Sequence, residues 1–208
     1  MRLEMKQLCG FTLLVLVAWG LSSALNAKED SVSEYKPDPS LSLATFGGGC
    51  FWCTEALLET LDGVKSVVSG YSGGHKENPT YKEVCAETTG HAEVVQVAFN
   101  PETISFEELL SYFWQAHDPT TLNRQGNDIG TQYRSVIFYH DEAQKAAAEK
   151  SMKEAADSFD DPIVTQIAAF EKFYPAEDYH QDFFRKNPSQ GYCYFVIKPK
   201  LQKFKKLK

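Results

Sequence analysis

The sequence predicts an α+β fold. Segments with a two-residue apolar period and segments with helical spacing follow one another irregularly, without the repeating strand–helix alternation of a doubly wound parallel sheet. Two of the helical segments begin with complete start signals, whereas the strand-like segments are short and bounded by glycine, proline or aspartate. Apolar residues make up 43% and charged residues 24% of the 208 positions, ordinary values for a globular chain with one hydrophobic core.

The chain opens with Arg2 and Lys6 ahead of an apolar run from Leu8 to Leu25, interrupted by Thr12, Ser22 and Ser23, and small residues follow at Ala24 and Ala27. That order is the one of a secretory signal peptide over residues 1–27, with an uncleaved membrane anchor as the alternative. Export to the periplasm or the exterior is therefore expected. Residues 28–40 (KEDSVSEYKPDPS) are polar, hold Pro37 and Pro39, and read as a linker. Residues 41–208 are expected to form one domain ending in a basic tail.

Within that domain Leu41 to Phe46 is β-prone and Gly47-Gly48-Gly49 interrupts it. Phe51 to Leu61 has helical spacing, which puts Cys50 at a strand-to-helix turn. Val64 to Val68 reads as a strand, and the glycine-rich stretch from Gly70 to Pro79 as loop. Ala92 to Phe99 is a strand with Val95, Val97 and Phe99 on one face. Ser105 and Glu108 form a capping box, and an apolar stripe from Phe106 to His117 follows. A polar loop, Asp118 to Thr131, leads to a strand over Ser135 to Tyr139. Asp141 caps an alanine-rich helix reaching about Ser158. Ile163 to Ile167 reads as a strand, Ala176 to Arg185 as helix, and Tyr192 to Ile197 as a final strand.

Charge and cysteine content exclude several classes. The net charge is −7 and the one basic concentration is Lys198 to Lys208, which reads as a solvated end-piece, so a nucleic-acid partner is not expected. Of five cysteines, Cys9 lies in the leader. Cys50 and Cys53 share one helical turn, and a bridge there closes almost no loop, so redox chemistry explains the pair better than stapling. Cys85 reads as a buried structural thiol.

The chemistry concentrates in GGGCFWCTEA. A thiol ionises near ~8.5 unless helped, and a cysteine at a helix start faces unpaired N–H groups and the positive end of the dipole. The same residue reads equally as a buried structural cysteine. Phe51 and Trp52 could wall a pocket for a methyl group or be plain core. Glu93 shares the parity of Val95 and Val97, so its carboxyl sits on an apolar face, where the neutral, proton-donating form is favoured; alternatively it reaches solvent at a strand end. RQGNDIGTQYRS, Arg124 to Ser135, is a long polar loop of the functional kind.

GCFW, NPTY, GHAE, QGNDIGTQYRS and FYPAEDYHQDF, in this order, resemble the peptide methionine sulfoxide reductases of the A type over about Leu41 to Ile197. The resemblance implies a two-layer sandwich with a mixed sheet packed against helices. It also implies reduction of the S epimer of methionine sulfoxide, free or in oxidised proteins, with no bound cofactor and with electrons from thioredoxin or a similar donor. It puts the attacking cysteine at Cys50, the methyl-binding aromatics at Phe51 and Trp52, and the proton-donating acid at Glu93. The supporting phenols fall at Tyr81 and Tyr133, and the substrate-orienting aspartate at Asp128. For the resolving thiol it supports both Cys53 and Cys193. His91 and His180 read as structural, and no spacing suggests a metal site. A monomer is expected. Two other readings are an exported thiol–disulfide oxidoreductase using the CFWC pair and a binding module without turnover.

Overall fold

The computed structural model describes residues 36–206; the leader and residues 28–35 of the linker lie outside them. Its strands are β1 (Ser42–Gly48), β2 (Val64–Ser72), β3 (Ala92–Phe99), β4 (Arg124–Gln125), β5 (Asp128–Ile129), β6 (Ser135–Tyr139), β7 (Gln166–Ala169) and β8 (Phe173–Pro175). Its helices are α1 (Phe51–Leu58), α2 (Tyr81–Cys85), α3 (Phe106–Ala116), α4 (Glu142–Ala155), α5 (Phe183–Lys186) and α6 (Lys198–Phe204). Six strands form one mixed sheet in the order β7-β6-β1-β3-β2-β8, and β4 with β5 makes a small separate hairpin. All pairings in the large sheet are antiparallel except that of β6 with β7, which are joined through α4, the helical crossover that a parallel pair requires.

β3 is the centre of the architecture. All eight of its residues are buried, so its apolar alternation is overlaid on burial from both sides. Val95, Val97 and Phe99 belong to the main core with Phe46, Leu57, Leu58, Leu109 and Phe113. Ala92 and Val94 pack with Val136 and Phe138 in a second cluster covered by Phe170 and Phe173. The helical layer lies over the first of these faces, which gives the two-layer α+β sandwich that the sequence implies.

The capped helices form where their signals stand. Ser105 accepts from the Glu108 N–H and the Glu108 side chain returns to the Ser105 N–H, the reciprocal capping box. Asp141 accepts the Gln144 N–H. A second capping box, Thr80 with Glu83, starts α2, a helix that the periodicity does not predict.

Four elements differ from expectation. β1 continues through Gly47 and Gly48, which pair with Val136 and Ser135. β2 runs on to Ser72, because Gly70 marks close packing and not a loop: a Cβ there would lie 2.5 Å from the Tyr174 carbonyl oxygen of the neighbouring β8. The helix expected over Ala176 to Arg185 is divided by Asp182 at φ 56 into a 3-10 turn, Asp178–His180, and the short α5. Tyr192 to Ile197 is helical instead of a strand, and it continues into α6. Cys193 and Ile197, four residues apart, are both wholly buried, so the four-residue repeat wins over the two-residue one. The basic tail is thereby anchored: Phe204 is buried, its ring 5.5 Å from that of Tyr112.

The segment from Asp178 to Lys186 is fastened to α1 and β2 by two side chains. Glu55 accepts the N–H groups of Asp182 and Phe183 at 3.1 and 3.2 Å and the Ser69 hydroxyl at 3.1 Å. Gln181 accepts the Ser69 N–H and donates to the carbonyls of Ser69 and Ala176.

Ser105→Ala removes one exposed cap and is expected to lower unfolding stability by about 1 kcal/mol, read from the urea midpoint, with reductase activity unchanged. A loss below about 0.3 kcal/mol would show that α3 is held by its apolar stripe alone.

Candidate active site

Gly49 turns the chain from β1 into α1 at φ +91, a conformation suited to glycine, and leaves Cys50 as the residue before the first helical turn. A Cβ at Gly49 would also fall 2.6 Å from the Gln125 side chain, so the turn brings the polar loop against the cysteine. The N–H of Phe51 donates to Glu93 Oε2 at 3.1 Å. One bond thus ties the helix start to the central strand and places the carboxyl group beside the thiol.

Glu93 is 1% exposed. Burial pushes its pKa up to about 8, opposed by the Phe51 N–H and reinforced by the charges of Asp128 and Cys53. The side chain therefore holds a proton at neutral pH, as its position on an apolar strand face predicts. The alternative of a glutamate reaching solvent does not hold.

Burial opposes ionisation of Cys50. Cys50 is 8% exposed, and burial raises its pKa well above the usual thiol value, with the hydrogen bond to Cys53 and the charge of Glu93 acting in the same direction. Cys53 shifts the other way, to about 7: the hydrogen bond from Cys50 lowers it most, burial opposes, and Lys200 and Tyr192 add to the lowering. Cys193 is wholly buried; its pKa is raised by that burial and by the charge of Cys53.

Tyr81 and Tyr133 border Glu93. Burial raises the pKa of both phenols, and the charge of Glu93 raises both further, so each is a neutral O–H donor. Tyr81 begins α2, and its N–H donates to Glu177 Oε1 at 2.8 Å, while the Tyr71 hydroxyl donates to Glu177 Oε2 at 2.9 Å. Tyr133 closes a 3-10 turn, Thr131–Tyr133. Asp128, at the start of β5, accepts the Tyr192 hydroxyl at 2.7 Å, and that oxygen lies 3.6 Å from Cys53 Sγ.

An aromatic cluster borders these groups. The Phe51 ring lies 6.2 Å from Trp52, 6.4 Å from Tyr81 and 5.0 Å from His180. Trp52 stacks on Phe183 at 3.7 Å and meets Tyr192 edge-on at 6.0 Å. All nine residues proposed from the sequence converge here. Four more that sequence reasoning left aside join them: Tyr192, Glu177, His180 and Glu55. The adjacency of Tyr192 to Cys193 was the available signal for the first; Glu177, His180 and Glu55 stand within the FYPAEDYHQDF and GGGCFWCTEA stretches, but their partners lie 96 to 128 residues away.

Two smaller expectations resolve differently. Cys85 is exposed, not buried, and hydrogen-bonds Tyr81 across one turn of α2. His91 is structural: Nδ1 accepts the Gly74 N–H at 3.0 Å and Nε2 bonds the Lys76 carbonyl at 2.7 Å. Among the described residues no group of His, Cys, Asp and Glu is arranged to hold a metal ion.

The family profile described as peptide methionine sulfoxide reductase matches residues 42–208. The peptide methionine sulfoxide reductase MsrA of Leptospira borgpetersenii is 58% identical over 163 residues, which are 78% of this chain and 93% of the relative. The reduced form of Mxr1 from Saccharomyces cerevisiae superposes with a TM-score of 0.73 at 39% identity, covering 77% of this chain and 94% of that one. Mxr1 has also been solved in complex with Trx2, a form that superposes with a TM-score of 0.53 at 29% identity and covers 74% and 93% of the two chains. The chain belongs to the family of peptide methionine sulfoxide reductases, oxidoreductases that return methionine sulfoxide to methionine.

Proposed function

We propose that the protein reduces the S epimer of methionine sulfoxide, free or within oxidised proteins, through a sulfenic acid on Cys50. The observation that carries this reading is the bond from the Phe51 N–H to Glu93, which sets a protonated carboxyl beside a thiol. The methyl group packs on Phe51 and Trp52, and the sulfoxide oxygen lies toward Glu93, Tyr81 and Tyr133. An apolar wall on one side and proton donors on the other fix the handedness at sulfur; the family resemblance supplies S. Asp128 orients the substrate.

Cys50 sulfur attacks the sulfoxide sulfur while Glu93 gives its proton to the departing oxygen, which is transferred to Cys50. The thiol proton of Cys50 returns to Glu93, so the thiol and the sulfoxide become a sulfenic acid and a thioether with nothing left over. Tyr81 and Tyr133 stabilise the oxygen as charge develops. Cys53 then attacks the sulfenic sulfur and water leaves, forming the Cys50–Cys53 disulfide. Cys193 exchanges with that disulfide, and its burial means that the segment around it shifts before a donor reaches the bond. The complex of the yeast relative with Trx2 supports a thioredoxin-like donor, whose dithiol is oxidised as the enzyme is restored. The CFWC oxidoreductase reading is disfavoured by the carboxyl and phenols, for which thiol exchange has no use.

Cys50→Ser is expected to abolish turnover of the resolved S epimer; product within tenfold of wild type, or equal turnover of the R epimer, rejects the reading. Glu93→Gln should slow single-turnover methionine formation by about 100-fold or more. Because the donating form of Glu93 predominates below its pKa of about 8, the wild-type rate should fall above that pH, and the glutamine variant should lack this limb. A wild-type rate that rises through pH 8 removes Glu93 as the acid. For the resolving step, mass spectrometry after one equivalent of substrate is decisive. Cys193→Ser should still give Cys50–Cys53, whereas Cys53→Ser should accumulate sulfenic acid or form Cys50–Cys193 slowly. Normal thioredoxin-linked turnover by Cys53→Ser, with none by Cys193→Ser, makes Cys193 the sole resolving residue.

A further inference from the structure

The stretch from Arg124 to Ser135 carries Asp128 and Tyr133 and, next to that tyrosine, a cation that the reaction does not use, Arg134. Its Nη1 donates to the Thr131 carbonyl at 2.9 Å and its Nη2 to the Gly90 carbonyl at 3.1 Å. Nε donates to Gln166 Oε1 on β7 at 3.2 Å. Withdrawing a cation from water is costly unless its donors are taken up, and burial lowers the Arg134 pKa. The carbonyls that take up these donors belong to the two segments that carry a phenol and the acid: Thr131 stands two residues before Tyr133, and Gly90 three before Glu93. The Thr131 N–H is held as well, by Oε2 of the exposed Glu87 at 3.0 Å, and this bond lowers the Glu87 pKa. Thr131 is thus gripped at both of its backbone polar groups by side chains of opposite charge.

We propose that Arg134, assisted by Glu87, is a positioning residue for the phenol of Tyr133: it ties the turn that carries this phenol to the chain entering β3, and so sets the Tyr133 hydroxyl against the Glu93 carboxyl for a shared sulfoxide oxygen. The inference rests on the reading of Tyr133 as a donor to that oxygen. The turn has little hold of its own. It is a single 3-10 turn closed by the Tyr133 N–H on the Gly130 carbonyl at 3.0 Å, and the hairpin before it pairs only Arg124 with Ile129 and Gln125 with Asp128. A tyrosine hydroxyl stands at the far end of a long rigid side chain, so a slight tilt of the turn displaces it more than the backbone, and a misplacement of about 1 Å costs up to about 100-fold in rate. A guanidinium suits the task because its planar fork presents donors in fixed directions and bridges two carbonyls at once, which an ammonium on a flexible stem does not. The other phenol is fixed by a similar device, the N–H of Tyr81 being held by Glu177.

The test uses free S-methionine sulfoxide as the probe. Arg134→Met, which keeps the stem and loses the donors, should slow the single-turnover rate at saturating substrate by about tenfold or more, with KM within about threefold of wild type. Arg134→Lys keeps the charge but cannot bridge two carbonyls, and should be slowed to within about threefold of Arg134→Met. Glu87→Ala should slow the same step by about threefold, and Glu87→Gln, whose side-chain oxygen still accepts the Thr131 N–H, should restore the wild-type rate. Tyr133→Phe should itself cost about tenfold or more, and adding Arg134→Met to it should cost less than about twofold further, because both act through one phenol. The fall in rate above the Glu93 pKa of about 8 should persist in Arg134→Met, since the acid is not what moves. A wild-type rate in Arg134→Lys, a full further loss on adding Arg134→Met to Tyr133→Phe, or disappearance of the pH limb in Arg134→Met overturns the positioning role. If Tyr133→Phe leaves the rate unchanged, it is the phenol reading that fails, and the positioning role falls with it. Should Arg134→Met not fold by circular dichroism, the two Glu87 variants decide, and equal rates in them overturn the role.

Discussion

A carboxyl group buried on the central strand and bonded to the first N–H of the helix that follows the nucleophile is the contact on which the site depends. Burying a carboxylate away from water is costly unless it is paired, and Glu93 meets that constraint by keeping its proton and accepting the Phe51 N–H. Both consequences serve the chemistry. The group is held neutral in the range where it must donate, and its position relative to Cys50 is set by two backbones instead of by flexible side chains. A strand and a helix start are the least mobile parts of a fold, and a general acid must be held within hydrogen-bond reach of its target.

Around this contact, buried or half-buried carboxylates and amides work as staples between distant parts of the chain. Glu177 receives Tyr71 and Tyr81, 106 and 96 residues away. Asp128 holds Tyr192 across 64 residues, and Glu55 holds the backbone of Phe183 across 128. The site is therefore the place where the N-terminal half, which brings the thiols, the acid and one phenol, is closed by the C-terminal half, which brings the aromatic clamp and the last cysteine. Satisfying each buried acceptor with backbone N–H or hydroxyl groups gives that closure a defined geometry.

The cysteines show how far environment outweighs residue type. Burial and the hydrogen bond to Cys53 raise the Cys50 pKa, whereas the hydrogen bond from Cys50 lowers that of Cys53, three residues on. Cys193 is sealed inside the fold by a helical turn, and Cys85, one turn beyond Tyr81, faces solvent. The order of reactivity among four chemically identical groups follows from which are dry, which are hydrogen-bonded and which lie beside another charge.

What the sequence by itself determined is whatever a short window dictates. β3 over Ala92 to Phe99, the Ser105–Glu108 box, the Asp141 cap and the turn before Cys50 all form as their local patterns require, because periodicity and capping act within a few residues. The parity of Glu93 on its strand offered a buried acid as one of two readings, and the motifs carried Cys50, Phe51, Trp52, Tyr81, Asp128 and Tyr133. Tertiary structure alone decided the rest. Tyr192 to Ile197 has the composition of a strand but becomes helical, since Cys193 and Ile197 are buried together. Burial raises the Cys50 pKa, an influence that no local reading of the helix start contains. His180 gains its partner Trp52 across 128 residues. Burial and long-range pairing belong to no window of the sequence, and they set protonation, orientation and the choice between competing local conformations.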